Sequence, residues 1–345
     1  MFRQRLFQFL RKAARFSLKA GIAMAFLLVV LEIAYRNQWI DTYKAQLLAL
    51  NDPATLESNE RTILVLGDSF SASDASWVGA FRRQMPGFRV VNCATTGTGI
   101  VQANIIAHKR FPQFKPDLLI YQIYTGNDLA DYRYPISWSK LNPFRNLYWW
   151  FAHRFRSLAW INQALGQAKS KASPDELLPT FNAAFSPEAY TPREKLLLQA
   201  EPGLIEHQAF LCGGREDDMK GYLRRMDDIL ALCAEFGTVP YLLVLPNCAQ
   251  VSEGQKRNMA ALGAEFSSEW STSPDYPFLN RIAGHTQGRA TVLNPLPAFQ
   301  AAEASGNQLY FNNDPHLNAA GQEMLGEWVR SAIQGRELPR DPNEM

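Results

Sequence analysis

Residues 63–71 read ILVLGDSFS: four large aliphatic side chains in a row, then a glycine, an acid and a serine. A run this short, and apolar without alternation, suits a strand buried on both faces of a parallel sheet. The pattern recurs at 89–94 (RVVNCA), 118–124 (LLIYQIY), 241–246 (YLLVLP) and 290–295 (ATVLNP). Stretches with helical periodicity fall between these runs, at 77–85, 101–111, 219–236 and 254–270, and a last one covers 319–333. Strand–helix alternation predicts a doubly wound α/β domain built on a five-stranded parallel sheet with right-handed crossovers. Residues 132–218 interrupt the rhythm and show no strand. They open on a dense aromatic patch, NPFRNLYWWFAHRFRSLAW at 142–160. This stretch reads as a mostly helical insertion, either a lid over the site or an apolar flank resting on the core or on a membrane surface.

Ligands of an open parallel sheet bind beyond the carboxyl ends of its strands. Gly67-Asp68-Ser69-Phe70-Ser71 follows the first run, Thr95-Thr96-Gly97-Thr98-Gly99 the second, and Thr125-Gly126-Asn127-Asp128 the third. Asn313-Asp314-Pro315-His316-Leu317-Asn318 precedes the final helix. With neighbouring strands ~4.8 Å apart, loops on one sheet edge can bring these groups together. A serine hydroxyl is a poor nucleophile at neutral pH and needs a base beside it. His316 supplies one, and Asp314 can accept the Nδ1 proton and set the tautomer. The Ser69 N–H, the Gly97 N–H and the Asn127 side-chain amide are candidate donors to an oxyanion. Asp68 and Asp128 are read as turn organisers rather than acids.

These blocks resemble those of the SGNH, or GDSL-type, hydrolases, whose four signature residues match Ser69, Gly97, Asn127 and His316. The segments VVNCATTGTGIVQ (90–102) and KPDLLIYQIYTGND (115–128) look like membrane-anchored bacterial members in particular. The resemblance covers about 61–102, 115–131 and 308–328. It implies a three-layer α/β/α sandwich of flavodoxin-like strand order and ester hydrolysis through an acyl-serine. The family's last block is usually Asp-x-x-His, whereas here Asp314-Pro315-His316 is shorter, with Asn313 in the usual acid position. Shorter forms are found in related exported members, so Asp314 is taken as the partner of His316. Gly97 is preferred to Gly99 because it lies five residues after Asn92, as in similar proteins. The same machinery can pass an acyl group to or from a sugar. A transferase or deacetylase on an envelope or exported polysaccharide therefore stays open, as does a non-catalytic glycan-binding envelope protein.

The chain has 345 residues, 47% apolar and 20% charged, an ordinary globular composition. Residues 20–31 (AGIAMAFLLVVL) carry no charge between Lys19 and Glu32. Twelve helical residues cover roughly 18 Å, short of a ~30 Å hydrocarbon core. Phe16, Leu18, Ile33, Ala34 and Tyr35 extend the apolar surface, and Lys19 can snorkel. Six basic residues precede the segment, which predicts a cytoplasmic N-terminus and an exported body. The expected organisation is a basic tail (1–15), a transmembrane signal-anchor (16–35), a linker (36–60), a hydrolase domain (61–335) with its insertion, and a C-terminal tail (336–345). A cleaved signal peptide is the competing reading. No small-x-small site follows the apolar run, where the sequence is EIAYRNQW.

Residues 1–44 hold eight Lys/Arg and two acids, leaving 27 basic and 31 acidic residues elsewhere. That mildly acidic body argues against a nucleic-acid partner. The expected partners are an ester or acylated-glycan substrate and the membrane. No cofactor or metal is expected. Gly97-Thr98-Gly99 lacks the third glycine of a dinucleotide loop, with Gln102 in its place. The four cysteines form no C-x-x-C; an even count permits a disulfide, and buried thiols are the other reading. His108 reads as solvated, His153 falls in the insertion, and His207 and His285 fall in expected loops.

Overall fold

The structure, a computed structural model, describes residues 2–57, 60–132, 143–169 and 174–335. Its strands are β1 (Arg61–Leu66), β2 (Phe88–Asn92), β3 (Leu118–Tyr124), β4 (Val239–Leu245) and β5 (Thr291–Leu293). They form one parallel sheet in the order β2-β1-β3-β4-β5, the expected flavodoxin-like order. The chain moves outward from β1 to β2, then returns past β1 to build β3, β4 and β5. That reversal opens a crevice at the carboxyl ends of β1 and β3.

The helices before and between the first strands are α1 (Phe2–Arg36), α2 (Lys44–Leu50), α3 (Pro53–Glu57), α4 (Trp77–Arg83) and α5 (Ile100–Phe114). The long connection from β3 to β4 holds α6 (Asp128–Tyr132), α7 (Pro143–Arg154), α8 (Arg156–Lys169), α9 (Pro174–Asn182), α10 (Pro192–Ala200), α11 (Leu204–Phe210) and α12 (Arg215–Phe236). After β4 come α13 (Cys248–Val251), α14 (Glu253–Ala261), α15 (Pro277–Thr286), α16 (Leu296–Ala304) and α17 (Ala319–Gln334). These elements divide into two compact units: Met1–Thr42 with Phe144–Ser170, and Tyr43–Pro143 with Lys171–Met345.

In the sheet-bearing unit every residue of β3 is buried, including Gln122. Helix α4 packs on α17, and α5 packs on α12, giving the two outer layers of the sandwich. The first pair is tight. A Cβ on Gly326 would lie 2.6 Å from the Ala80 Cβ and 2.8 Å from the Trp77 carbonyl oxygen. The helix expected over 254–270 stops at Ala261, where Gly263 takes a φ of +104° that L side chains rarely adopt. Helices α15 and α16 were not foreseen; each has a proline in its first turn.

The segment expected as a linker is largely folded. Leu47 and Leu50 of α2 are buried, and Asn51 pairs with the edge strand as a neighbouring residue would. Its Nδ2 donates to the Asn92 carbonyl at 2.7 Å, and its Oδ1 accepts the Asn92 N–H at 2.8 Å. Arg82 donates to the same Oδ1 at 2.9 Å. The polar tract 52–60 concealed this, because two leucines and one asparagine carry the attachment. The insertion also divides. Residues 144–170 belong with α1, and α9 to α12 belong with the sheet. The stretch 133–142, the start of the aromatic patch included, lies outside the described residues, as does the tail 336–345.

In the first unit, the helical stretch Phe9–Arg36 contains an 18-residue window with a mean hydropathy of 2.0 that is almost wholly exposed. This helix is long and apolar enough to cross a membrane. Its last turn holds the one acid of the helix, Glu32, which is buried. Glu32 accepts the Ser157 N–H at 2.9 Å and pairs with Arg36 at 2.5 Å. Ser157 lies in the first turn of α8, so a carboxylate from α1 caps that helix where its backbone N–H groups lack partners. Tyr35 stacks with Trp160 at 6.0 Å between ring centres.

Two glycines calibrate the packing. Gly326→Val forces apart α4 and α17 and should lower stability by about 1–3 kcal/mol, the ordinary cost of overpacking. Gly284 is an exposed position within α15, and a Cβ added there would meet nothing within 4 Å, so Gly284→Ala should raise stability by up to about 1 kcal/mol. Urea denaturation of the detergent-solubilised chain separates the two; equal effects would mean that the α4–α17 contact is looser than described.

Candidate active site

The turn after β1 is held from beneath. A Cβ on Gly67 would come 2.5 Å from the Gln122 Oε1 on β3, so only glycine lets the strand end this close to its neighbour. That Oε1 accepts the Asp68 N–H at 3.2 Å and the Ser71 hydroxyl at 3.0 Å. The Trp77 indole N–H donates to Ser71 Oγ at 2.9 Å, and Asn92 Nδ2 donates to the Ser71 carbonyl at 2.7 Å. Asp68 Oδ1 accepts the Phe70 N–H at 3.0 Å, the turn-organising role expected of it. Ser69, half-buried, stands at the tip of this braced turn.

The loop before α17 meets it from 247 residues away: His316 Nε2 lies 2.7 Å from Ser69 Oγ. On the other side of the ring, His316 Nδ1 lies 2.5 Å from Asp314 Oδ1, which also accepts the His316 backbone N–H at 3.0 Å. The ring packs 4.7 Å from that of Phe70, which in turn lies 4.2 Å from Tyr124. The second carboxylate oxygen, Asp314 Oδ2, accepts the Thr191 hydroxyl at 2.5 Å. Thr191 stands at the N-cap of α10 but makes no side-chain cap bond there.

Asn313, in the position where the resemblance usually puts an acid, is fully buried and spent on the insertion. Its Nδ2 donates to the carbonyls of Thr180, Ala183 and Ala184 at 2.9, 3.1 and 3.1 Å, and its Oδ1 accepts the Ser186 N–H at 2.8 Å.

Gly97 and Asn127 follow β2 and β3, the strands on either side of β1, so their loops flank the Ser69 turn. Gly97 has a φ of +70°, a conformation that favours glycine. Gly99 does not, and its N–H is directed at Gln102 Oε1, 3.4 Å away. No hydrogen bond within the described residues engages the Ser69 or Gly97 N–H. The Asn127 backbone N–H contacts the Tyr124 carbonyl at 3.4 Å, and its side-chain Oδ1 is buried with no hydrogen-bond partner. Gln208 of α11 holds this turn: it donates to the Gly126 carbonyl, and its Oε1 accepts the Ala130 N–H at 3.2 Å. A Cβ on Gly126 would clash with the edge of the Tyr124 ring.

Gln122, Thr191 and Gln208 escaped the sequence reading. Gln122 left one trace, a polar residue inside an otherwise apolar strand. Asp128 departs in part from its expected role: its carboxylate accepts the Tyr222 hydroxyl at 3.0 Å, a tertiary contact. Burial, together with Asp68 and Asp131, holds its pKa well above the ordinary carboxylate range. His207 and His285 lie in α11 and α15 rather than in loops, beside Glu201 and Asp227 at 2.8 and 2.9 Å. No disulfide joins the cysteines; Cys93, Cys233 and Cys248 are buried and Cys212 is exposed.

Burial opposes the charged forms of both Asp314 and His316, but their mutual attraction and hydrogen bonds outweigh it. The Asp314 carboxyl is lowered from 3.8, with Thr191 assisting, and the His316 imidazole is raised from 6.5. Burial also pushes the half-buried Glu194 of α10, near both, up to about 7.

No protein-family model and no curated protein matches this chain. Among solved structures it is similar to an acetyl xylan esterase, AlAXEase, at 8% identity over 79% of this chain and 99% of that one, with a TM-score of 0.41. It is also similar to a catalytic mutant of Axe2, an acetylxylan esterase from Geobacillus stearothermophilus (12%, 82% and 98%, TM-score 0.42). A third is a lipase/acylhydrolase from Enterococcus faecalis (12%, 81% and 100%, TM-score 0.35). Likeness this distant adds nothing to the strand order and the side-chain geometry already described.

The pair's electrostatics have a definite sign. Its contribution to stability should be present above the unfolded Asp314 value of 3.8 and be lost as pH falls through the lower folded value. It should also be fully present below the unfolded His316 value of 6.5 and be lost as pH rises through the higher folded value. The destabilisation caused by Asp314→Asn should therefore peak between these limits. In imidazole NMR titrations the His316 midpoint should lie above 6.5 and fall in that variant. An unchanged midpoint would show that Asp314 does not set the charge of the ring.

Proposed function

We propose that this chain is an extracytoplasmic, membrane-anchored serine hydrolase acting on ester bonds. The observation that carries the proposal is the unbroken line of contacts Ser69 Oγ, His316 Nε2, His316 Nδ1, Asp314 Oδ1, at 2.7 and 2.5 Å. In this reading Ser69 Oγ attacks the ester carbonyl carbon while its proton passes to His316 Nε2. Asp314 orients the neutral imidazole and stabilises the imidazolium that forms. The carbonyl oxygen, now negative, takes up hydrogen bonds from the Ser69 and Gly97 N–H groups and the Asn127 amide. Collapse breaks the bond to the alcohol oxygen, which receives the proton from His316. Water then attacks the acyl-Ser69 carbonyl, His316 again serving as base, and releases the acid and the free serine.

The placement outside the cytoplasm rests on the charge asymmetry about α1. Six basic residues precede the apolar run, against Arg36 and Lys44 after it, and basic flanks stay on the cytoplasmic side.

The test is hydrolysis of p-nitrophenyl acetate by the detergent-solubilised chain, with Ser69→Ala and His316→Ala alongside. The parent should turn over, should be inactivated by a sulfonyl fluoride at Ser69, and should lose roughly 10⁴–10⁶ in kcat in either variant. A parent as inert as both variants, with Ser69 unlabelled, would sink the hydrolase reading. Activity that appears only when a glycan acceptor is added would identify transfer instead of hydrolysis.

A further inference from the structure

Helices α7 and α8 form a pair joined near Phe155, and they pack on the last turn of α1 through the Glu32–Ser157 and Tyr35–Trp160 contacts. The Arg36 guanidinium adds a hydrogen bond to the Arg154 carbonyl at 3.3 Å. The pair is amphipathic in the reverse of the usual sense. Ala152 and Ser157 are buried, whereas Leu147, Trp150 and Phe151 of α7 are 58%, 53% and 40% exposed and Leu165 of α8 is 57% exposed. Leu147, Trp150 and Phe151 stand three and four residues apart, so they form one stripe on the outer side of α7. A soluble helix turns such a stripe inward.

We propose that this outer face of α7 and α8 lies in the headgroup–acyl boundary of the same lipid bilayer that α1 enters. The inference rests on reading α1 as a membrane span. Continuity then identifies the occupant. The apolar surface of α1 ends at Glu32 and Arg36, which marks the level of the membrane–water boundary, and the helical pair is attached at those two residues. Its side chains are those that partition to that depth. Trp150 offers an amphipathic ring, and the Arg154 guanidinium stacks over it at 4.8 Å to the ring centre, where it can meet lipid phosphate. An interfacial helix buries its apolar face ~5–10 Å into the boundary. One spanning and two interfacial helices would thus hold the chain at the membrane.

The test uses the full chain with Cys212→Ser, reconstituted in phosphatidylethanolamine/phosphatidylglycerol vesicles. The other three cysteines are buried, so an environment-sensitive NBD probe can be directed to Leu147→Cys, or separately to Ile22→Cys. At position 147 the probe should be blue-shifted. Iodide should quench it several-fold less than NBD-glutathione, and shallow 5-doxyl lipid should quench it more than 12-doxyl lipid. At position 22 the preference should be for the deeper quencher. An iodide response at 147 equal to that of NBD-glutathione, with 22 still quenched by lipid, overturns the inference and leaves the anchor standing. Protection from iodide without lipid quenching at 147 also overturns it, because protein then covers the face. If neither lipid quenches the probe at 22, the anchor reading falls and the inference with it. Unchanged thermal melts of the labelled proteins show that the exposed substitutions leave the fold intact.

Discussion

A contact of 2.7 Å between Ser69 and His316 has to be kept across 247 residues of chain, and much of the sheet-bearing unit can be understood as meeting that demand. A parallel sheet is suited to it, because the loops that leave one edge are spaced by the strands and not by the sequence. The strand order puts β1 between β2 and β3, so the Ser69 turn has a glycine loop on one side and an asparagine loop on the other. His316 arrives from the far end of the chain through α17, which packs on α4, the helix that follows the Ser69 turn. The two partners are therefore tied twice, once by their hydrogen bond and once by the helices behind them.

Beneath the serine the structure spends buried polar groups instead of hydrocarbon. Gln122 reaches Asp68 and Ser71, Ser71 is also held by Trp77 and Asn92, and Asn92 is paired with Asn51. Such a network stabilises little in net terms, since each bond replaces one to water. It does penalise alternative arrangements, because any shift would leave several buried groups without partners. Gly67 belongs to the same device: its missing Cβ admits the Gln122 Oε1.

This division explains what could be read from the sequence. The central strands β1, β3 and β4 were legible because burial on both faces imposes continuous apolar runs. The loops bearing Ser69 and His316 were legible because ligands of a parallel sheet are expected where its strands end, and their side chains do meet, at 2.7 Å. Groups that act through tertiary contacts left weaker marks. Asn51 was hidden in a polar tract, Gln208 and Thr191 in helices of the insertion, and Gln122 showed only as one polar letter among apolar ones. The insertion itself looked like a single block by composition, yet it supplies helices to two units. Nothing local distinguishes a phenylalanine facing lipid from one facing a core.

The shortened Asp-x-His spacing follows from the same economy. Asp314 Oδ1 accepts both the backbone N–H and the ring Nδ1 of the residue two positions later, which is the natural reach of an aspartate side chain onto its own following turn. Carboxylate and imidazole are thus mutually oriented within one short turn, with Pro315 limiting the backbone between them. The position one earlier is then free for another task, and Asn313 anchors the loop that leads from α9 to α10. That loop returns Thr191 to the other oxygen of Asp314. The carboxylate is consequently held from two directions, by its own turn and by the insertion. Loss of either hold leaves the other in place but frees the plane of the carboxylate to rotate, so the insertion bears on the orientation of His316 through Asp314.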